Sequence, residues 1–352
     1  MRNITLDIGS QNIRIVEGKS FGKIFTATNL CSIQTPLTVY EDGMLYDIET
    51  LANYLKDKVK QHNIKASYIS YIIESSYILS REIEAPAIKK HELSSMIHYE
   101  MEHNLPNPVD YYILQFKVIH KFVEEGINRL KILVSAVPKH MVESYFKLSK
   151  MLNLEPHILN VKHDSVINLF KKQCEGSKNI IFLLLDMGHS SIDAMIYDQC
   201  RYRYKRRIDL GGKDISEEIA AFYHLSISEA EQRKKDSARI NLESREDNTI
   251  ESITRKHVDE WIEEINKIIL YFTKTNEGQA IHKIWLYGGS SKIPGISEYI
   301  SLKTGISTSS VYDVVSTNLI KMKINKPETD IKDLYTDYAN ALSGCIRSRM
   351  IP

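Results

Sequence analysis

The chain has 352 residues, of which 43% are hydrophobic and 26% charged, so it is long enough to bury one large core or two medium ones. Its 46 Lys and Arg residues balance 45 Asp and Glu residues, which argues against a protein whose main partner is nucleic acid. The longest aliphatic stretch, 180–185, is much shorter than the roughly 20 residues that cross a bilayer. These values predict a soluble, two-domain protein of the cytoplasm.

The chain contains one internal repeat, formed by residues 4–13 and 183–192. In both segments an apolar run leads to an aspartate, a glycine follows two residues later, and apolar and polar residues then alternate. This pattern predicts a strand, a tight turn and a second strand. Two such hairpins half a chain apart predict two lobes that each open with a hairpin. The matching pairs are Leu6 with Leu185, Asp7 with Asp186, Gly9 with Gly188, and Ile13 with Ile192.

Strand and helix patterns alternate around the hairpins, which predicts mixed α/β layers. The segment 85–154 has an α-β-β-α pattern that reads as a subdomain inserted into the first lobe. A long helix follows at 255–274, where apolar residues recur every three or four positions. The other predicted elements are strands at 68–73 and 284–287, and a polar stretch at 229–254 that reads as helix followed by loop.

The first hairpin turn has the residue types of a phosphate-binding turn. A glycine at Gly9 allows positive φ and directs N–H groups toward an anion, while Ser10 and Asn12 add side-chain donors. Asp7, at the end of the strand, is placed to hold magnesium through water. The second turn repeats this arrangement, so the two turns together predict a clamp on a phosphate chain with Asp7 and Asp186 as metal ligands. Its predicted binding residues are Asp186, Gly188, Ser190 and Ser191.

Two glycine pairs stand directly before predicted helices. Glycines at such places allow close approach of the backbone to a planar ring, or of a phosphate to a helix N-terminus. We therefore expect both pairs to contact a nucleotide. The predicted contacts are Gly211, Gly212, Gly288, Gly289, Ser290 and Lys292.

Taken in order, these segments resemble the actin-like ATPase superfamily, which includes actin, heat-shock chaperone ATPases, sugar kinases and bacterial cytoskeletal proteins. The resemblance implies an α/β, two-lobed, ribonuclease H-like fold with an inserted α-β-β-α subdomain, and ATP and Mg²⁺ as cofactors. Several members contact adenosine through a glutamate and a lysine three residues later, and Glu231 and Lys234 occupy that place. The helix at 338–344 matches the second connecting helix of the superfamily.

Within the superfamily the chain is most similar to the PilM family of type IV pilus assembly proteins. In that family's inserted subdomain a helix ends in two acidic residues and two prolines follow, as at Glu100, Glu102, Pro106 and Pro108. The resemblance covers nearly the whole chain and implies a lobe layout. The first lobe is 1–84, completed by 155–178 and 335–350, the inserted subdomain is 85–154, and the second lobe is 179–334 with a smaller insertion at about 213–280.

The resemblance also implies a function. It predicts an ATP-binding cytoplasmic scaffold, recruited to the inner face of the cell membrane, that binds the N-terminal cytoplasmic tail of the inner-membrane protein PilN near the inserted subdomain. Other inner-membrane platform proteins of the pilus and further copies of the chain are additional candidate partners, and the membrane is contacted only through partners. Lys162 replaces a glutamate common in the family, and His189 replaces a small residue. Binding survives such changes more easily than hydrolysis, so at most a slow ATPase is expected.

Two alternatives stay open. A sugar-kinase-type phosphotransferase would need a carboxylate base and a polar sugar pocket, and the segment 85–154 offers no recognisable one. A filament-forming division protein of the FtsA type usually ends in an amphipathic membrane helix, and the stretch after Gly344 is too short for one.

Two further patterns have simpler readings. The strand-like segment 201–207 alternates Arg or Lys with other residues, which predicts a half-buried strand with a basic outer face, with an acidic partner or a lipid headgroup as the alternative. The four cysteines lie far apart without a CxxC pair, so reduced thiols are expected. They are Cys31, Cys174, Cys200 and Cys345.

Overall fold

The structure, a computed structural model, describes residues 2–22, 24–170, 180–242, 249–315, 319–324 and 330–346. The chain forms two compact units. The first unit comprises Met1–Ser165 and Gly344–Pro352, and the second unit comprises Val166–Ser343.

The first unit is built on a mixed sheet in which five of its strands follow the order β10-β6-β1-β2-β3. Strand β1 pairs antiparallel with β2 and parallel with β6. Helices α1 and α3 pack on this sheet through residues such as Leu51, Leu55, Met141 and Leu148, which are all fully buried. The elements are β1 (Arg2–Ile8), β2 (Asn12–Phe21), β3 (Ile24–Gln34), β4 (Tyr40–Glu41), β5 (Met44–Leu45), α1 (Ile48–Gln61), β6 (Tyr68–Ile73), β7 (Leu79–Pro86), α2 (Lys90–Glu102), β8 (Tyr112–Glu124), β9 (Ile127–Pro138), α3 (Lys139–Met151), β10 (Glu155–Val161) and α4 (Lys162–Val166).

A second sheet of the first unit forms the inserted subdomain. Its strands are antiparallel in the order β7-β9-β8, and helix α2 covers it through Leu93, Ile97 and Met101. The predicted order α-β-β-α is present as α2, β8, β9 and α3. The structure adds β7 as a third strand before them, and α3 packs in the core of the larger sheet rather than in the subdomain.

The second unit repeats the strand pattern of the first. Its sheet has the order β13-β12-β11-β14-β15, and β11 pairs antiparallel with β12 and parallel with β14. The predicted duplication of a hairpin-led α/β lobe is therefore confirmed. The elements are β11 (Ile181–Met187), β12 (Ile192–Asp198), β13 (Arg201–Ile208), α5 (Gly212–Tyr223), α6 (Ile227–Ser237), α7 (Thr249–Thr275), β14 (Lys283–Tyr287), α8 (Ile296–Thr304), β15 (Thr308–Ser310), β16 (Ile320–Met322), α9 (Ile331–Asp337) and α10 (Ala339–Cys345).

The long helix α7 crosses one face of this sheet. Its apolar stripe, which includes Trp261, Ile265 and Phe272, is buried against the strands. The helix begins at Thr249, six residues before the predicted start, because Ile250 and Ile253 continue the same stripe. The polar stretch 229–254 therefore contains more helix than its composition indicated.

Two expectations from the sequence differ from the structure, one on the lobe layout and one on a cysteine. Residues as far as Ser343 belong to the second unit, whereas the predicted layout placed 335–350 in the first lobe; the rest of that layout, with its smaller insertion, stays a prediction. Cys31 and Cys345 are buried, reduced thiols, as expected, but Cys200 is disulfide-bonded, so the expectation of a reduced thiol is wrong there. Cys174 lies outside the described residues.

Among the helices of the described ranges, none has the length and hydrophobicity of a membrane span.

Candidate functional site

The turn between β1 and β2 holds the predicted phosphate-binding residues of the first unit. Asp7 lies one residue before the end of β1 and is 8% exposed. The Gly9 N–H donates a hydrogen bond to the Asn12 carbonyl over 3.0 Å. From the end of β3, the Thr35 hydroxyl donates to the Gly9 carbonyl over 2.7 Å. Asp7, Gly9, Ser10 and Asn12 therefore belong to one turn whose main chain is held in place.

The turn between β11 and β12 closes in the same way. The Gly188 N–H donates to the Ser191 carbonyl over 3.0 Å, which matches the bond from Gly9 to Asn12. Neither glycine has positive φ, so the reason expected from the sequence is wrong. A Cβ atom at Gly9 would lie 3.1 Å from the Asn12 oxygen, and one at Gly188 would lie 2.7 Å from the Ser191 oxygen. The turn therefore has no room for a side chain at Gly188, and at Gly9 the neighbouring carbonyl would have to shift by a few tenths of an ångström.

Asp186 stands before this second turn and is held from two sides. It is 8% exposed. Its Oδ2 accepts a hydrogen bond from Asn340 Nδ2 over 3.1 Å, and Asn340 Oδ1 accepts one from the Tyr287 hydroxyl over 3.0 Å. Gly288 has φ of +88°, and a Cβ atom there would lie 2.6 Å from Asp186 Oδ1. The carboxylate is thus oriented before any ligand arrives.

The glycine pair at the start of α5 docks on the second turn through its backbone. The Gly212 N–H donates to the Gly188 carbonyl over 3.2 Å, and the Lys213 N–H donates to the His189 carbonyl over 2.7 Å. A Cβ atom at Gly211 would lie 2.4 Å from the His189 oxygen. This pair therefore allows the helix to come close to the turn itself, and its predicted contact with a nucleotide stays a prediction. The contact brings the N-terminus of a 12-residue helix, where the helix dipole favours anions, to the turn.

Three further predicted residues join this cluster. The Ser290 hydroxyl donates to the Gly188 carbonyl over 2.9 Å. Lys234 Nζ donates to the Gly212 carbonyl over 2.6 Å and to Glu231 Oε2 over 2.8 Å. The structure therefore brings together residues that lie on four separate segments of the second unit.

Burial sets the charge of the cluster. It lowers the pKa of the Lys234 ammonium, while the ion pair with Glu231 acts in the opposite direction. Burial also lowers the pKa of the His189 imidazole. His189 Nδ1 is buried without a hydrogen-bond partner among the described residues, so a second proton on the ring would be costly. We therefore expect a neutral imidazole at position 189 at neutral pH.

Two predicted residues have other surroundings. Lys292 Nζ forms ion pairs with Asp337 at 2.9 Å and Asp333 at 3.8 Å, both on α9. A Cβ atom at Gly289 would meet no atom within 4 Å, so open space rather than a tight contact surrounds this glycine. Their predicted contact with a nucleotide stays a prediction.

The residues beside Lys162 are tied to the inserted subdomain. His163 is buried, with Nε2 3.0 Å from the Ser80 hydroxyl and Nδ1 3.5 Å from Glu74 Oε2. Asp164 forms an ion pair with Lys117 of β8. These partners account for the polar residues next to Lys162 as structural contacts between α4, β7 and β8.

The donor set fits magnesium only in a water-mediated form. No group of three or more His, Cys, Asp or Glu side chains that could hold a metal occurs in the described ranges. Asp7 and Asp186 are single carboxylates at strand ends, and Mg²⁺ is often bound by one or two carboxylates with its remaining positions filled by water and phosphate. Each aspartate, within its own unit, therefore has the chemistry to hold a magnesium ion through the water shell of the ion.

Asn340, Thr35 and Ser216 support the site and were not predicted. Asn340 orients Asp186, Thr35 holds the first turn, and the Ser216 hydroxyl donates to Glu231 over 2.6 Å. Of these three residues, only Asn340 could have been singled out from the sequence, because it is the one amide in the otherwise small and apolar segment 339–344. The other two contacts join residues whose pairing is not visible in the chain order.

Comparison with solved structures supports the fold. The PilM-PilN type IV pilus biogenesis complex matches with a TM-score of 0.83 at 20% identity, over 99% of this chain and 98% of that chain. The ethanolamine utilization protein EutJ from Carboxydothermus hydrogenoformans matches with a TM-score of 0.56 at 13% identity, over 99% and 90%. MreB 5 of Spiroplasma citri bound to AMPPNP matches with a TM-score of 0.52 at 12% identity, over 89% and 92%.

These likenesses confirm the predicted actin-like ATPase fold. The profile of the family "Type IV pilus assembly protein PilM" matches residues 5–347, which is nearly the whole chain, and this match does not favour the division-protein or sugar-kinase alternatives. The chain therefore belongs to the PilM family of type IV pilus assembly proteins.

Proposed function

We propose that this protein is an ATP-binding, actin-like scaffold of the type IV pilus machinery that holds the N-terminal cytoplasmic tail of PilN. Family membership over residues 5–347 and the likeness to a PilM-PilN complex over 99% of the chain support this assignment. On this proposal the protein works in the cytoplasm and reaches the inner face of the cell membrane through the PilN tail. Other platform proteins and further copies of the chain stay candidate partners.

The cluster of the second unit carries the nucleotide part of the proposal. Gly188 and Gly212 meet through their main chains, and the Ser290 hydroxyl joins them, beside the half-buried Lys234–Glu231 ion pair. Such a site offers a helix N-terminus to phosphate and a pair of charged side chains to the ribose. MreB 5, which shares the fold, was solved with AMPPNP.

Both turns take part in the proposed binding of magnesium ATP. When bound, the ion would neutralise phosphate charge and orient the phosphate chain. Asp7 and Asp186 hold its water shell in this proposal. The Gly9 and Gly188 amides are already used inside the turns, so in this proposal the side-chain donors of the turns bind the phosphates, and the glycines allow the main chain to come close to them. The proposed contacts are Gly9, Ser10 and Asn12 in the first unit, and Gly188, Ser190, Ser191, Gly211, Gly212, Glu231, Lys234, Gly288, Gly289, Ser290 and Lys292 in the second.

Hydrolysis is expected to be slow at most. Phosphoryl transfer needs a residue that positions the attacking water and accepts its proton. Lys162 cannot do this as a carboxylate could, and its neighbours His163 and Asp164 are engaged in structural contacts. The chain is therefore better suited to a nucleotide-dependent scaffold than to a turnover enzyme.

The inserted subdomain is the proposed site for the PilN tail. Short segments bind by adding a strand to a sheet edge or by placing apolar side chains in a groove. Strand β8 lies at the edge of the three-stranded sheet, and Tyr111 and Ile113 at its beginning are exposed. These features offer both kinds of contact to an extended peptide.

Titration of a fluorescent PilN-tail peptide tests this assignment. We expect Ile113→Arg with Tyr111→Ser to abolish binding, while Tyr99→Arg, an exposed aromatic on α2 of the same subdomain, leaves it intact. Both variants should keep the ATP-induced thermal shift of the wild type. Peptide binding that survives the double change, or peptide protection of second-unit amides alone, would place the tail elsewhere.

A further inference from the structure

Helix α4 lies where the chain passes from the first unit to the second. The first unit ends at Ser165 and the second begins at Val166, so the helix, Lys162–Val166, includes this first crossing. The chain crosses back between Ser343 and Gly344. A movement of one unit is transmitted through the covalent chain first to the residues beside these crossings.

A buried polar cluster joins α4 to two strands of the inserted subdomain. His163 of α4 is buried, and its Nε2 atom lies 3.0 Å from the hydroxyl of Ser80 on β7. That hydroxyl lies 2.8 Å from the hydroxyl of Ser135, the residue opposite it on β9. On the other side of the ring, Nδ1 lies 3.5 Å from Oε2 of Glu74, which follows β6 of the larger sheet. These groups hold one another in place, because a buried polar atom that loses its partner is costly.

An ion pair joins the same helix to the third strand of the subdomain. Asp164 of α4 contacts Lys117 in the middle of β8. Both side chains are partly exposed, so the pair contributes little to the stability of the fold and can open at small cost. Helix α4 is therefore connected to all three strands, and to β8 through a contact that water can replace.

The second crossing is joined to the larger sheet. Helix α10, Ala339–Cys345, includes this crossing, and the Cys345 thiol donates a hydrogen bond to the Thr5 hydroxyl of β1 over 3.3 Å. A Cβ atom at Gly344 would lie 2.5 Å from the Ile72 side chain of β6, so the helix packs closely on that sheet. The two crossings thus contact different parts of the first unit, and the contacts of α4 lead to the inserted subdomain.

We propose that the contact between Asp164 and Lys117 couples binding of the PilN tail at β8 to binding of magnesium ATP. This inference rests on the proposed function and adds its regulation. In the held state the ion pair is formed and β8 is fixed, and in the open state the pair is broken and β8 moves more freely. Magnesium ATP restrains the crossing at α4, because its proposed contacts lie in both units, and this favours the held state. The tail then loses less freedom when it pairs with β8, so it binds more tightly.

Coupling between two ligands is reciprocal. The tail must raise the affinity for ATP by the same factor by which ATP raises the affinity for the tail, and such factors are typically about 5-fold to 150-fold. A contact that only stabilised the fold would behave differently. Its loss would change the peptide affinity equally with and without nucleotide, and the ratio of the two affinities would stay the same.

Titration of the fluorescent PilN-tail peptide against the full chain, with and without magnesium ATP, measures this ratio. We expect the wild type to bind the peptide at least about fivefold more tightly with nucleotide. Lys117→Glu and Asp164→Lys each place two like charges together, so each should bring the ratio close to one. The double variant re-forms the ion pair with its charges exchanged and should restore most of the ratio.

Arg129→Glu is the matched control. Arg129 stands opposite Phe122, near the turn between β8 and β9, and forms an ion pair with Glu124 of the same hairpin. Its reversal should leave the ratio as in the wild type. Hydrogen exchange gives a readout without the peptide, because magnesium ATP should increase protection of amides in 112–118 in the wild type and in the charge-exchanged double variant, and in neither single variant.

The outcomes separate this inference from the function on which it rests. Equal peptide binding with and without magnesium ATP overturns the coupling, while both binding functions stand. A wild-type ratio in both single variants overturns the role of the Asp164–Lys117 contact. If the peptide does not bind, but ATP protects 112–118 only in proteins that have the ion pair, the tail assignment is wrong and the coupling of α4 to β8 stands. If ATP also fails to protect 112–118, both are wrong.

Discussion

Asn340 donates a hydrogen bond from Nδ2 to Asp186 Oδ2 over 3.1 Å, although the two residues are 154 positions apart in the chain. Asn340 Oδ1 already accepts a hydrogen bond from the Tyr287 hydroxyl. The side-chain amide of Asn340 therefore presents its NH₂ group to the Asp186 carboxylate. A buried carboxylate that is oriented in advance loses little freedom when it binds the water shell of an ion.

Asp186→Ala is expected to abolish the stabilisation of the protein by magnesium ATP. The wild type should gain about 2.7 kcal/mol at a ligand concentration of about one hundred times Kd, which a thermal melt detects as a shift of several degrees. Asn340→Leu keeps the carboxylate but removes its donor, so we expect an intermediate shift. Asp209→Ala, an exposed carboxylate after β13, is the control. Equal shifts in wild type and Asp186→Ala would move the nucleotide site elsewhere.

Gly288→Ala should destabilise the second unit and weaken ATP binding. The backbone there has φ of +88°, and the added Cβ atom would meet Asp186 Oδ1 at 2.6 Å. Strain of this kind costs about 1–3 kcal/mol, which urea unfolding measures. Gly289→Ala is the matched control for stability, because its Cβ atom meets nothing within 4 Å. A similar loss of unfolding free energy in both variants would contradict the contact between Gly288 and Asp186.

His189 should make stability depend on pH. Burial lowers its pKa below the ordinary value of 6.5, so the unfolded chain binds this proton more readily than the folded protein. Its effect is therefore a loss of stability as the pH falls through and below 6.5. Melting temperatures between about pH 8 and pH 5 should fall less steeply in His189→Ser than in the wild type. His91→Ser, at an exposed position on α2, should keep the wild-type slope; equal slopes in all three proteins would contradict this reading.

ATP turnover by the purified protein should be slow or undetectable even where binding is tight. The family resemblance places Lys162 where many members carry a glutamate, and a lysine cannot accept a proton from water as a carboxylate can, so phosphate release should stay far below kinase rates of roughly 1–100 per second. A coupled phosphate assay on the wild type measures this, with Asp186→Ala as the background. Turnover at kinase rates would instead favour the phosphotransferase alternative.

The strands and turns of the two hairpins could be predicted because their signal is local. An apolar run, an aspartate and a glycine at fixed spacing determine both a hairpin and its place in the sheet. Strand β7 was not predicted, because its residues Arg81, Glu82 and Glu84 obscure the apolar alternation of an exposed three-stranded sheet. The early start of α7 was hidden by the charged residues around Ile250 and Ile253 in the same way.

The sequence predicted which residues form the candidate site better than it predicted the physical reason why each is there. A Cβ atom at either Gly9 or Gly188 would crowd the carbonyl oxygen three residues later, more severely at Gly188, and only the closed turn reveals this contact. The contact of Asn340 with Asp186 depends on helix α10 returning to the end of β11, and no local pattern encodes that return. Pairings of this kind need the three-dimensional path of the chain.

The second turn is joined to α5 through carbonyl oxygens, at Gly188 and His189, rather than through side chains. The position of the turn therefore does not depend on which side chain residue 189 carries. A mutation that replaces a small residue with histidine there can alter the proton affinity and polarity of the turn while its backbone contacts persist. A substitution at position 189 can therefore change the chemistry beside the proposed phosphate site without changing the backbone that forms this site.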